Sequence, residues 1–393
     1  MITFEEAYAM VIGSADRHNK TEKVLIFDAL NRVLADDIKS DIPMPPFNKS
    51  AMDGYACRFA DRNQVMHVVE VIAAGYVPKK TLGVGECAKI MTGAMLPLGA
   101  DGVVKIEDIE EVATNTIVCK ELSNAKNICF IGEDIQPDTL LVSKGTLLQP
   151  QHIAVFAAVG KMEVEVYCKT AVGIISTGNE LIEPNKALSE GKIRNSNGYQ
   201  LYAQALKHGA QPKYYGIALD DKESVRQLIA KATCENQITL LSGGVSMGDF
   251  DLVPEVLANF GFKTKFHSIA VQPGKPTLFT QKEDALCFGL PGNPVSSFIQ
   301  FELLVSPLIH KLQGEKFNLI FTPATLKDNY SRKNATRKAW IPVLLDDDMQ
   351  VSQVDYHGSA HINAFVEANA VMEIPIGVLQ INKGERVNVR RIS

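Results

Sequence analysis

Between residues 171 and 313 the hydrophobic pattern alternates between two periods, and this alternation constrains the fold more than any other feature of the chain. AVGIIST (171–177), ITLLSGG (238–244) and Ala285–Leu290 are short, nearly continuous apolar runs, as expected of strands covered on both faces. Helical stretches lie between and after them. Ser196–His208 is amphipathic and stops at Gly209, Ser224–Ala232 is a second helix, and Asp251–Phe260 ends before Gly261. PGNPVSSFIQFELLVSPLIHKL (291–312) reads as a long helix with Asn293 as N-cap and Pro294 at its first position. Buried strands alternating with helices predict a parallel α/β sheet between two helical layers.

The flanks read differently. Phe4–Ile12 is a short amphipathic helix, followed by an apolar patch at Val24–Leu34. DIPMPPFNKSAMDGYA (41–56) carries three prolines in four residues, which forbids helix and central strand and marks a rigid connector. Beyond it, Val65–Ala73, Asp101–Ile109, Thr116–Leu122 and Asn127–Ile131 are β-rich. Pro150–Val159 is a helix, Met162–Tyr167 alternates like a strand, and this piece is expected to pack back on the N-terminal segment. The tail holds strands at Ile320–Leu326, Lys338–Leu345, Gln350–Val354, Ala370–Ile376 and Arg386–Ile392. A chain of 393 residues exceeds one hydrophobic core. The expected division is 1–46 with 139–170 as a linking domain, 47–138 as a β-rich insertion, 171–313 as the α/β domain and 314–393 as a C-terminal β domain.

Several function classes are disfavoured. Lys and Arg number 40 against 45 Asp and Glu, with no long basic run, so no nucleic-acid partner is expected. No apolar run nears the roughly 20 residues that span a bilayer, and Glu5 and Glu6 stand where a secretory signal would be basic. The seven cysteines never form C-x-x-C, which suits reduced thiols in the cytoplasm and speaks against a zinc site. G-x-G-x-x-G and G-x-x-x-x-G-K-[ST] are both missing, and no Ser or Cys nucleophile pairs with a base. His357 and His361 are four apart, but Gly358 between them argues against a helical metal pair.

Ligands of parallel α/β sheets bind where strands end and helices begin. Three such turns are STGNEL (176–181), SGGVSMGDFD (242–251) and LPGNPVSS (290–297). Gly243 and Gly244 let the backbone approach an anion, with Ser246 beyond them, and Pro291, Gly292, Asn293 and Pro294 open a long helix. Glycine and proline also merely terminate strands; three furnished turns at successive strand ends favour a phosphate-bearing ligand. Glu180, Asp220, Asp221, Asp249 and Asp251 cluster at these ends. Carboxylates beside phosphate require an intervening divalent ion, and oxygen-only ligands suit Mg²⁺. Asp221 reads better as a solvated surface group, and Asp220 and Asp249 are equally well read that way. Lys275 in VQPGKPT and Arg337 before Trp340 are candidate cations for an anion site, or ordinary surface charges.

In order along the chain, PPFNKSAMDGYA, IMTGAMLPLGADGVV, GEDI, STGNEL, IRNSN, SGGVSMGDFD, QPGKPT, GLPGNPVSS and GSAH, spanning residues 45 to 361, resemble the MoeA family of molybdopterin molybdenumtransferases, which includes the E domain of gephyrin. The resemblance implies an α/β domain like the pterin-adenylating (MogA-like) enzymes, a β-rich inserted domain, a linking domain in two pieces and a small C-terminal β-barrel. It implies a homodimer with shared active sites, supplied by a separate pterin-adenylating protein. The implied reaction takes adenylated molybdopterin and molybdate, splits the phosphoanhydride with Mg²⁺, and releases AMP. Matched residue by residue, catalytic roles fall on Asp53, Thr92, Asp134, Glu180, Asp220 and Asp251, with Glu180 and Asp251 on the metal. Molybdate contacts fall on Lys275, Pro276, Ser296, Arg337 and Ser359.

The match departs from the family at two places. Gln272 stands where the family often has Lys, and TRKAWIP lacks the acidic and second basic positions, with Pro342 where a second Arg is usual. Arg332 is therefore a rival to Arg337. Two other readings remain beside the transferase. Molybdopterin adenylyl transfer would consume ATP on free pterin dithiolene, and a gephyrin-like scaffold would not need the carboxylates or Lys275.

Overall fold

The structure, a computed structural model, describes residues 1–15, 20–121, 123–244, 252–315 and 317–392. It divides into two units, Met1–Ala35 with Gly145–Gln149 and Glu163–Ser393, and Asp36–Lys144 with Pro150–Met162.

The first unit contains a six-stranded sheet. Its strands are Ala171–Thr177 (β1), Gln211–Ala218 (β2), Ile238–Ser242 (β3), Lys263–Phe266 (β4), Leu278–Lys282 (β5) and Ala285–Leu290 (β6), in the order β2-β1-β3-β6-β5-β4. The first four of that order run parallel, as the apolar runs predict. Neighbouring side chains serve opposite faces: Ile174 and Leu240 join one buried cluster, Ile175 and Leu241 another. That double burial is why these strands show no polar alternation. The expectation of an all-parallel sheet is corrected at one edge, where β5 and β4 add antiparallel. Lys282 pairs with Ala285 across a turn at Glu283 and Asp284. A two-residue connection cannot make the crossover that a parallel neighbour requires.

Helices Asn197–Lys207 (α1), Lys222–Glu235 (α2) and Val253–Asn259 (α3) connect these strands. α2 begins earlier than the apolar period suggests because the Asp221 side chain caps it, accepting from the Ser224 amide at 2.8 Å. After β6 the chain runs through Pro294–Gln300 (α4), one π turn at Phe301–Val305, and Ser306–Leu312 (α5).

Five tail strands close a small barrel. They are Thr322–Leu326 (β7), Lys338–Leu345 (β8), Gln350–Gln353 (β9), Ala370–Ile374 (β10) and Arg386–Arg391 (β11), in the order β8-β9-β7-β11-β10 with β10 pairing back to β8. Leu326, Val343, Val351, Met372 and Val389 fill its interior. A short strand, Val271–Gln272, pairs parallel to β8 with Gln272 opposite Ala339, which carries the Lys275 loop to the barrel edge. The N-terminal helix Phe4–Gly13 starts with a Thr3–Glu6 capping box and sets Phe4 edge-on to buried Trp340 at 5.6 Å. Thr21–Leu25 pairs antiparallel with Glu163–Tyr167.

The second unit holds a six-stranded sheet in the order Gly102–Lys105, Gly54–Cys57, Glu86–Ile90, Met66–Ile72, Thr116–Cys119, Ile109–Ala113. The run expected as one strand over 101–109 is broken by a 3-10 turn at Ile106–Asp108. Burial pushes the Cys57 and Cys87 thiols up to about 12, and both stay free. No described helix is long and apolar enough to cross a membrane.

Candidate active site

Two cavities lie side by side in the first unit, of about 670 Å³ and about 640 Å³. The first opens at the carboxyl ends of β1, β3 and β6, where the strand-end argument places it. Gly243 and Gly244 have φ of 93° and 63°. A Cβ on Gly243 would stand 2.6 Å from the Thr177 carbonyl, and one on Gly244 2.8 Å from Thr177 Oγ1. Only glycine fits that turn. Gly178, with φ of 142°, likewise leaves the space that the Glu180 carboxylate fills. Gly292 is different. Its φ is not in the left-handed region, and a Cβ there would meet nothing nearer than 3.8 Å. The protein itself does not demand a glycine at 292, and the residue faces the cavity.

Glu180 and Asp220 both line this cavity. Asp220 Oδ2 accepts from the Asn179 amide at 2.9 Å while the Asp220 amide donates to Asn179 Oδ1 at 3.1 Å, which ties the two carboxylate-bearing turns together. Two contributors escaped the sequence reading although both sit in IRNSN. Asn197 Nδ2 donates to Ser242 Oγ at 2.8 Å and to the Gly292 carbonyl at 2.7 Å, bracing the ends of β3 and β6. Arg194, on the short strand Ile193–Arg194 paired with Leu181–Ile182, brings a cation to the cavity wall. Ser246 and Asp251, and with them half of the expected metal pair, lie outside the described residues. Among the described residues no three His, Cys, Asp or Glu side chains cluster as a metal site.

The second cavity lies between the Lys275 loop, the start of α4 and the barrel. Its charged lining is Lys275, Arg332 and Arg337, and none of its lining residues is acidic among those described. The two arginines differ in what they are free to do. Arg332 gives Nε to the Val378 carbonyl at 2.7 Å, Nη1 to that of Arg337 at 2.9 Å and Nη2 to that of Pro375 at 2.6 Å. Among the described residues, Arg337 makes a single hydrogen bond, 3.3 Å from Nη1 to the Val271 carbonyl. Its guanidinium therefore keeps most of its donors for a ligand. Ser296, nearly fully buried, and Ser359 supply hydroxyls, and Gln272 lines the wall where a cation was noted as missing.

Asn293 does not cap α4 with its side chain, contrary to expectation. Its Nδ2 donates instead to Ser359 Oγ at 2.8 Å, and the Ser359 carbonyl takes the Val295 amide at 3.0 Å. The barrel-side loop has taken over the capping task. Pro276, Pro291 and Asn293 face both cavities, and Pro294 faces the first. His357 and His361 stack at 5.0 Å, and the His357 amide donates to His361 Nδ1.

Asp53, Thr92 and Asp134 belong to the second unit. Asp53 Oδ1 accepts from both the amide and the hydroxyl of Thr92, each at 2.7 Å, and these bonds hold its carboxyl below the usual carboxylate range. Asp134 is exposed, with its amide on the Met44 carbonyl.

Family models for the MoeA N-terminal region (domains I and II), a probable molybdopterin-binding domain and the MoeA C-terminal region (domain IV) match residues 2–160, 173–311 and 324–391. The molybdopterin molybdenumtransferase of Bacillus subtilis is 34% identical over 388 residues, covering 95% of this chain and 90% of that protein. That of Staphylococcus aureus is 34% identical over 377 residues, covering 93% and 90%. The molybdopterin biosynthesis MoeA protein of Pyrococcus horikoshii superposes with a TM-score of 0.87 at 35% identity, over 100% of this chain and 99% of that one. Matched from end to end in sequence and in fold, the chain belongs to the MoeA family of molybdopterin molybdenumtransferases.

Proposed function

We propose that this chain is a molybdopterin molybdenumtransferase of molybdenum cofactor biosynthesis, and that its two adjoining cavities divide the substrates between them. One observation carries the division: a cavity with glycine turns and carboxylates shares a wall with a cavity whose charges, among the described residues, are all cationic. In this reading the phosphoanhydride of adenylated molybdopterin lies over Gly243 and Gly244, with Gly292 leaving room for it. Molybdate is held by Lys275, Arg337, Ser296 and Ser359. Replacing the water shell of a dianion takes charge-assisted hydrogen bonds, which these four side chains supply.

Glu180, the described member of the expected pair, fits a Mg²⁺ ion that binds through one or two protein oxygens plus substrate phosphates. Glu180 and Asp251 would hold it, and when bound it would neutralise charge building on the phosphate. The residues' own part is to bind and orient. Asp220 locks the Glu180 turn, Asn197 fixes the strand ends, and the Lys275 loop brings the anion beside the phosphoanhydride. Water adds to phosphorus as the phosphoanhydride P–O bond breaks and AMP leaves. The two dithiolene sulfurs replace two molybdate oxygens, which leave as water with the two thiol protons and two more from solvent.

The same reading includes the four-part division of the chain, a cytoplasmic location, a separate pterin-adenylating protein, and a homodimer in which Asp53, Thr92 and Asp134 act on the partner's cavities. Mixing Asp53→Ala with Glu180→Ala subunits is expected to restore activity at up to half the mixed-dimer sites; mixtures no better than either variant would refute the shared site. For the reaction itself, purified protein is given adenylated molybdopterin, with and without molybdate. AMP release that depends on molybdate is expected. Release indifferent to molybdate, or ATP consumption on free molybdopterin, would reject the assignment.

A further inference from the structure

Among the described residues, three face both cavities; two are prolines without polar side-chain atoms, and Asn293 is the one whose side chain can hydrogen-bond. Its Nδ2 is committed to Ser359 Oγ at 2.8 Å. Its Oδ1 takes no helix amide, because the Val295 amide goes to the Ser359 carbonyl and Ser297's to the Asn293 carbonyl. Once Ser359 Oγ accepts from Asn293, its own O–H points elsewhere, and Ser359 lines the second cavity. The result is a hydrogen-bond chain with one direction. A ribose hydroxyl or adenine amino group of a nucleotide in the first cavity can donate to Oδ1, the amide donates to Ser359 Oγ, and the Ser359 hydroxyl is left to donate to an anion in the second cavity.

We propose that Asn293 is a positioning residue that couples the two cavities, so that a nucleotide in the first tightens anion binding in the second. This rests on the division of substrates proposed above. The physical basis is polarisation. A bond accepted at an amide oxygen strengthens the N–H on the same amide, and a hydroxyl that accepts a bond becomes a better donor. The Ser359 backbone is held by the Val295 amide, so the hydroxyl transmits the effect from a fixed position. Coupling of this kind is reciprocal, so molybdate tightens nucleotide binding by the same factor. Two anions side by side repel, so without the relay the factor falls to one or below.

The test is a calorimetric titration of molybdate into the full chain with Mg²⁺, with and without saturating AMP. The native protein is expected to bind molybdate about fivefold more tightly with AMP present, near the low end of typical site-to-site couplings. Asn293→Ala and Ser359→Ala should each bring that factor to one or below, while circular dichroism melts report that both remain folded. Asn293→Asp puts an acceptor against the Ser359 hydroxyl and turns its proton away from the cavity, so molybdate binding should weaken and AMP should no longer improve it. A native factor of one, or an undiminished factor in Asn293→Ala, overturns the relay and leaves the substrate division standing. If the native protein binds neither AMP nor molybdate, the division itself is wrong and the relay falls with it.

Discussion

The first cavity is made where strands β1, β3 and β6 of the α/β sheet end, and much of what shapes it is backbone: glycines at left-handed φ, turns tied by Asn179 and Asp220, and strand ends braced by Asn197. The second is made where a barrel edge meets a loop, and it is lined by side chains that approach from distant parts of the sequence, among them Lys275, Ser296, Arg337 and Ser359. In the reading proposed above, the contrast is between two ways of receiving an anion. A backbone cradle with carboxylates around it needs a cation as go-between, whereas a cluster of ammonium, guanidinium and hydroxyl groups needs none. In that reading, the lack of acids among the described lining residues of the second cavity lets a free dianion bind there without competition.

If the two cavities differ in this way, substitutions should separate their effects. The largest is expected for Glu180→Ala, which should slow AMP release on the order of 100-fold, because charge on the leaving phosphate is then poorly balanced. Molybdate affinity should barely move. A rapid-quench assay with a parallel molybdate titration checks both halves, and equal losses in the two would erase the distinction. Next comes Lys275→Ala, which should weaken molybdate roughly 10- to 150-fold, the value of one charge-assisted bond. AMP binding should stay close to native; a wild-type half-saturation point for molybdate would remove Lys275 from the anion site.

The arginines sharpen the comparison within the second cavity. Arg337→Ala should weaken molybdate with little change in thermal stability. Arg332→Ala should instead destabilise the barrel by about 3 kcal/mol, since three backbone carbonyls lose a charged donor. Paired melting curves and titrations decide this, and the opposite pattern would reassign the anion ligand to Arg332. Gln272→Lys should have the smallest effect, a modest tightening of molybdate as a third available cation enters the wall.

The first cavity was more legible in the sequence than the second, for a physical reason. A strand, a glycine turn and a helix start are contiguous, so STGNEL and LPGNPVSS carry their geometry locally. Asp221 was readable too, though its use as the α2 cap emerged only when the helix was seen to begin at Lys222. Asn293 looked like an ordinary N-cap because nothing near it in the sequence reveals that Ser359, 66 residues on, would take its side chain. Arg332 and Arg337 could not be ranked from sequence, because what separates them is the set of carbonyls that the closed barrel brings to Arg332. The antiparallel edge was hidden for a similar reason, since LFTQK is short and ends in polar residues. Arg194 and Asn197 lay within a recognised motif but had no role until their strand ends were in place.

The division of labour between the cavities is the central claim, and a crystal structure with both AMP and molybdate bound tests it most directly. The account predicts the AMP phosphate beside Gly243, Gly244 and Glu180, and molybdate in the neighbouring cavity within hydrogen-bond reach of Lys275, Arg337 and Ser359. Molybdate found among the carboxylates of the first cavity, or the AMP phosphate seated on Lys275, would contradict it.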